Sequence, residues 1–222
     1  QVDSDTYALA YEGRDKDGFI STFTISSDGT SIVEVDTLEH DDDHGQYNSL
    51  VHVDSDTYAL AYAGTDDDGF ISTFTIDSDG DITPIQIQNH ANTTEEDDVA
   101  NLEHDGDQGA ASVSHNSLVQ VDSDTYALAY AGAGEDGFIS TFTIDSDGDI
   151  TPIQIQNHAN TTEEDDVANL EHDEERGREN SLVQVNSNTI ALAYEGLDRD
   201  GFISTFTIYS NNGTIKPIQI QN

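Results

Sequence analysis

Carboxylates recur at fixed offsets in this chain, and the first chemistry they suggest is holding a hard cation. Asp15 and Asp17 precede Gly18, Asp66 and Asp68 precede Gly69, and Asp198 and Asp200 precede Gly201. Oxygen donors at i and i+2 beside a glycine turn supply part of the cage that Ca²⁺ prefers. The remaining copy of the loop reads Gly134-Glu135-Asp136-Gly137, so the glycine is kept but the first acid is not. No Glu stands where a calcium loop places its closing bidentate ligand. Ca²⁺ is the one cofactor these residues suggest, and a glycine turn carrying solvated acids is the competing reading. The turns Asp79-Gly80, Asp147-Gly148 and Asn212-Gly213 need no ligand, because these dipeptides are hairpin-turn chemistry.

A second recurring group is Glu39-His40-Asp41, repeated as Glu103-His104-Asp105 and Glu171-His172-Asp173. An imidazole between carboxylates could ligate a transition metal or carry protons. Neighbouring residues of an extended chain point in opposite directions, so one triplet cannot aim three ligands at one ion. The triplet sits in the link between repeats, followed by a glycine (Gly45, Gly109, Gly177) and by Asn-Ser-Leu beginning at Asn48, Asn116 and Asn180. A motif kept from link to link does the same structural work in each, so His40, His104 and His172 are expected to be hydrogen-bonded caps.

Catalysis on a repeat scaffold needs residues that break the repeat. Here they are few: Tyr47, His44, His52, His115, Arg176 and Arg178. There is no Gly-x-Ser-x-Gly, no phosphate loop and no His-Glu-x-x-His. Two carboxylates could hydrolyse a glycoside, but 46 acids make any one pair uninformative. The sequence therefore leads to the expectation of a non-enzymatic binding, adhesion or structural module, extracellular or at the cell surface, with a carbohydrate or protein ligand. Two alternatives stand beside it: a filament subunit joined through open sheet edges, and a polysaccharide-active enzyme. Asn92, Asn160 and Asn212 begin N-glycosylation sequons.

The elements that must carry these residues are strands. VDSDTYALAY begins at Val2 and recurs at Val53 and Val121, with VNSNTIALAY at Val185. From Val53 to Asp105 and from Val121 to Asp173 the copies differ only at Thr65-Asp66-Asp67 against Ala133-Gly134-Glu135. The third copy shows four runs rich in Val, Ile, Thr, Tyr and Phe: residues 117–121, 125–131, 138–144 and 150–156, separated by Asp/Gly/Ser turns. Only Thr93–Leu102, with its copy at Thr161–Leu170, could form a turn or two of helix. The units fall at residues 1–47, 48–115, 116–179 and 180–222, the first lacking most of its opening strand.

The middle runs are uncharged on both faces. Tyr58, Leu60 and Tyr62 alternate with Ala59, Ala61 and Ala63, and Phe70 and Phe74 with Ile71 and Thr73. A sheet wet on one side would alternate apolar with polar. Bulky and small faces instead suit sheets stacked on one another, bulk over small. Four antiparallel strands in about 50 residues with both faces covered resemble a β-propeller blade of the kelch size class. The resemblance implies an all-β propeller, or an arc of one, whose loops on the rims bind ligands. The Asp-Gly loops also look a little like integrin-type calcium loops, without their full spacing.

Six Lys and Arg against 46 Asp and Glu give a formal charge of −40. That sign excludes attraction to nucleic-acid phosphates and to anionic membranes. Open strand edges leave self-association as a possible partnership. With no Cys there is neither disulfide nor thiolate metal site. The absence of Met and a start at Gln1 suggest a processed or excised segment.

Overall fold

The computed structural model of the chain describes residues 1–64, 67–85, 101–105, 113–153, 169–209 and 213–221. All of its strand pairs are antiparallel, in four sheets. The first sheet holds β1 (Thr6–Glu12), β2 (Gly18–Ile25) and β3 (Ile32–Asp41) in that order. The second holds β4 (Gln46–Asp54), β5 (Thr57–Ala63) and β6 (Gly69–Ile76), with β7 (Ile82–Pro84) and β8 (Asn101–Asp105) both on the far edge of β6. The third repeats this with β9 (Ser114–Gln120), β10 (Thr125–Ala131), β11 (Gly137–Ile144), β12 (Ile150–Pro152) and β13 (Asn169–Asp173). The fourth is β14 (Arg178–Asn186), β15 (Thr189–Glu195), β16 (Gly201–Tyr209) and β17 (Thr214–Gln221).

Period-two alternation decides how the sheets stack. On β5 and β6 the register pairs Tyr58 with Phe74 and Leu60 with Ser72 on one face, and Ala59 with Thr73 and Ala61 with Ile71 on the other. Ala59, Ala61 and Ile71 of the second sheet pack on Tyr126, Leu128, Tyr130 and Phe142 of the third. Ala127, Ala129 and Ile139 of the third pack on Ile190, Leu192, Tyr194 and Phe206 of the fourth. Ala8, Ala10 and Ile20 of the first meet Tyr58, Leu60, Tyr62 and Phe74 of the second. Small face against bulky face is thus one interface used three times, and nearly all the buried apolar surface lies in it.

Polar tethers repeat with the same regularity. The Thr22 hydroxyl donates to the Gly80 carbonyl at 2.6 Å, Thr73 to Gly148 at 2.9 Å and Thr141 to Gly213 at 2.9 Å. At the opposite edge, Leu118 N–H donates to Ser49 Oγ and Leu182 N–H to Ser117 Oγ, each at 2.9 Å. The opening strands β4, β9 and β14 therefore lie side by side, and the sheets fan out from them. Thr73→Val keeps the shape and removes the buried donor. We expect it to lower unfolding stability by about 1–2 kcal/mol in urea titration. Thr205→Val, on the fourth sheet with no turn packed over it, should change it by less than about 0.5 kcal/mol.

Two expectations about the strands change. The closing strand of the second and third sheets is built in two pieces, so the expected run over 150–156 is a described strand only over Ile150–Pro152. The Glu-His-Asp triplets lie inside β3, β8 and β13 rather than in linking loops. Phe19 pairs with Glu39 and Gly18 with Asp41, which leaves His40 as the extra residue of a bulge; His104 and His172 stand at the same bulge. A bulge turns a side chain that would have pointed outward into the sheet stack. The helix expected over 93–102 lies outside the described residues except for Asn101 and Leu102, which are in β8. Its copy is likewise outside them except for Asn169 and Leu170, in β13. Among the described residues, no helix is long and apolar enough to cross a membrane.

Candidate functional site

The opening strand of each of the last three sheets begins with an irregularity at one repeated place. Gln46 pairs with Ala63 and Ser49 with Ala61, so Tyr47 and Asn48 together oppose one residue of β5. His115 and Asn116 do the same on β9, and Glu179 and Asn180 on β14. Tyr47, His115 and Glu179 take left-handed backbone conformations, with φ of 52°, 56° and 51°. Non-glycine residues hold that conformation at a cost of order 1–3 kcal/mol, and such strain gathers at binding and catalytic sites. Since the three opening strands adjoin, the bulges bring these six residues to one pocket of about 220 Å³ at the hub.

Its chemistry is asymmetric although its frame is not. His115 Nδ1 is 3.6 Å from Glu179 Oε1. The His115 ring lies 4.8 Å from that of Tyr47. Burial pushes the imidazole pKa below its ordinary value, Glu179 pulls it back up and Arg178 pushes it further down. His115 is therefore largely neutral near pH 7, with a carboxylate beside it. Arg178 pairs with Glu135, and Arg176 bridges Glu135 at 3.8 Å and Glu195 at 3.0 Å. The asparagines line the same pocket. Asn48 and Asn180 give their amide N–H to the Gly45 and Gly177 carbonyls at 2.6 and 2.7 Å. Among the described residues, Oδ1 of Asn48, Asn116 and Asn180 has no partner although each is buried. A buried acceptor without a donor is costly.

A larger cavity of about 290 Å³ lies along the unpaired edge of β1. Its walls are Ala8, Leu9, Ala10, Leu50, Asn48, Tyr58, His52 and Gln1, with no paired acid and base. It occupies the place where the other sheets hold an opening strand, and we assign it no chemistry.

The residues singled out from the sequence are distributed differently. Asp15 and Asp198 stand in 3-10 turns with φ of 62° and 60°, and the Asp17, Asp68 and Asp200 carbonyls accept from Gly13, Gly64 and Gly196 to close those turns. The equivalent Gly134 has φ 74°, so the position demands a left-handed residue, which Asp tolerates and glycine prefers. Among the described residues no three acidic or histidine side chains gather to hold a metal ion; Asp66 lies outside them. Asn92, Asn160 and Asn212 also lie outside the described residues.

His40 and His172 wedge between sheets. His40 is buried edge-on to Tyr62, centroids 4.5 Å apart, and His172 sits 4.6 Å from Tyr194. Asp41 and Asp173 accept backbone N–H groups of the turn that follows. The His104 side chain is outside the described residues. Burial pushes the pKa of both described imidazoles down to about 4, opposed weakly by Asn48 at His40 and by the Asp173 charge at His172. Both are neutral in the fold and must charge on unfolding below pH 6.5. The unfolded chain then binds more protons, so their contribution is complete above pH 6.5 and is lost as pH falls to about 4. The loss is roughly 3 kcal/mol for His40 and less for the partly exposed His172. Melting curves from pH 7 to pH 4 should show a shallower loss in the His40→Gln, His172→Gln double variant than in wild type.

No protein-family model matches the chain, and no curated protein matches its sequence. Solved structures do match in shape. One named as a candidate 6-phosphogluconolactonase from Bacteroides uniformis has a TM-score of 0.50 at 12% identity, over 98% of this chain and 68% of its own. A lectin of Aleuria aurantia in complex with alpha-methyl-L-fucoside gives 0.51 at 9% identity, over 97% and 56%. Hsv2 of Kluyvelomyces marxianus gives 0.53 at 14% identity, over 100% and 60%. The fold is a β-propeller. The kelch repeat type is not supported, since no family model matches, and the chain spans between about half and two thirds of these propellers' length. The expectation of a non-catalytic module is corrected by the same comparison, because one propeller of this shape is named as a lactonase and the fold gives that expectation no support. Its other ground, the lack of a place where repeat symmetry breaks, also goes. Tyr47 and His115 of the repeat-breaking residues meet at the hub, with Arg176 and Arg178 beside them. Glu179, at the third equivalent position, escapes notice in a sequence with so many acids.

Proposed function

We propose that the chain is a carbohydrate-acting propeller enzyme that hydrolyses a lactone or ester of a sugar at its hub. The observation that carries this reading is the convergence of Tyr47, His115 and Glu179 at three equivalent bulges, in a pocket whose other lining residues are Asn48, Asn116 and Asn180. A neutral imidazole beside a carboxylate is the arrangement of a general base. His115 takes a proton from water as the water oxygen bonds to the carbonyl carbon, and Glu179 stabilises the imidazolium. The tetrahedral adduct then breaks its bond to the ring or alkoxy oxygen. That oxygen receives the proton, leaving a free hydroxyl and a carboxylic acid, which loses its own proton to solvent and becomes the carboxylate. Asn48, Asn116 and Asn180 form the polar wall against the sugar, and the exposed Tyr47 ring offers a stacking face. The single base with its orienting acid favours acyl hydrolysis over glycoside cleavage, which requires two carboxyl groups flanking the bond. The pocket is smaller than the roughly 300 Å³ lower bound of drug-sized sites, which suits one sugar unit. Support from shape is the company of a lactonase-named propeller and a fucoside-binding lectin.

The test is proton release at constant pH on a panel of five- and six-membered sugar lactones and acetylated sugars. Turnover above the spontaneous rate that vanishes in His115→Ala supports the reading. Spontaneous rates across the whole panel, with folded protein, would sink it.

A further inference from the structure

The interface that joins the sheets is left unfinished at both ends of the stack. Leu60, Leu128 and Leu192 are fully buried under the preceding sheet, yet Leu9, at the same register position, is 53% exposed. Ile20, Ile71 and Ile139 are fully buried under the following sheet, yet Ile203 is 59% exposed, and Ala193 is exposed beside it. The first sheet therefore shows an uncovered bulky face, Tyr7, Leu9 and Tyr11. The fourth shows an uncovered small face, Ala191, Ala193 and Ile203. The turns agree. A side chain added at Gly148 or Gly213 would strike the preceding sheet and one at Gly80 would press on it, whereas at Gly29, in the same turn of the first sheet, no described residue lies within 4 Å. Thr205, matching the buried donors Thr22, Thr73 and Thr141, is partly exposed.

We propose that a second copy of this chain docks head to tail, its Tyr7-Leu9-Tyr11 face on the Ala191-Ala193-Ile203 face of the first. The occupant follows from continuity. Both faces are halves of an interface this sequence already forms three times, bulk over small, with the Gly29 turn positioned to receive Thr205. The contact is heterologous, so two copies can use both ends of each chain and close. Their sheets would number about eight around one axis, within the range that propellers adopt. Apart from Glu12 and Glu195 at the strand ends, β1 and β15 carry no charge, so the −40 of each chain opposes approach over long range rather than at the contact.

The experiment is sedimentation equilibrium of the full chain in 1 M NaCl, where screening acts over about 3 Å. Wild type is expected as a two-chain species. Leu9→Asp spoils one face and Ala193→Arg the other, and each variant alone is expected to sediment as a single chain. Mixing the two restores a two-chain species, because the intact tail of the first fits the intact head of the second. Both positions are exposed, and far-ultraviolet circular dichroism confirms folding. A single-chain wild type overturns the proposal. So does a variant that still pairs alone, or a mixture that does not pair.

Discussion

In His115→Ala, kcat/KM toward the sugar lactone or ester is expected to fall by about 100- to 10,000-fold, the usual worth of a positioned general base. The pH profile separates this role from a structural one. His115 works when neutral, so wild-type activity falls as pH drops through its pKa, which burial holds below the ordinary histidine value. The neighbouring charges act on that limb in opposite directions. Glu179 raises the imidazole pKa and Arg178 lowers it. Glu179→Gln should move the acid limb to lower pH, and Arg178→Met should move it to higher pH. A histidine that merely fills space would give two variants with unchanged limbs. Tyr47→Ala, by contrast, should raise KM more than it lowers kcat, because stacking on a sugar face serves bound substrate and transition state alike.

The second large effect is on stability. Gly177→Ala should cost roughly 3 kcal/mol or more in equilibrium unfolding, at the upper end of overpacking penalties. A Cβ at Gly177 would lie 2.1 Å from Gly137 Cα and 2.7 Å from its nitrogen. Backbone cannot swing aside as a side-chain tip can. The two glycines lie back to back so that His172 can close over them, and a Cβ at Gly137 would stand 2.4 Å from the imidazole. The control is internal to the repeat. Gly201 occupies the Asp-Gly-Phe position equivalent to Gly137, and among the described residues nothing lies within 4 Å of its added Cβ. Gly201→Ala should shift the urea midpoint by the equivalent of less than about 0.5 kcal/mol. Equal losses at Gly201 and at its crowded equivalent Gly137 would show that the cost belongs to the turn conformation and not to the crowding.

The contrast between those glycines shows how far sequence could be read. Residues 125–131 were legible as a strand to the residue, because Tyr-Ala-Leu-Ala-Tyr states its period and both of its neighbours at once. The Glu-His-Asp triplets were legible as recurring but not as strand, because a bulge leaves no mark in composition. One extra residue reverses which way His40 points, and only the pairing of Phe19 with Glu39 and Gly18 with Asp41 reveals it. The hub was hidden for a related reason. Tyr47, His115 and Glu179 share no chemistry, so a search for kept residues passes over them. The signal was nonetheless present: the residue before each Asn-Ser-Leu is Tyr, then His, then Glu. At the loop acids the structure adds a backbone reason for the pattern, since Gly134, with φ of 74°, takes the left-handed position that Asp15 and Asp198 hold in their copies.

Because every junction presses the same small face on the same bulky one, a newly duplicated module meets neighbours that already fit it. Gain or loss of a unit by unequal crossing-over therefore needs no compensating substitution, and the number of units in this lineage is free to drift while each fold remains sound.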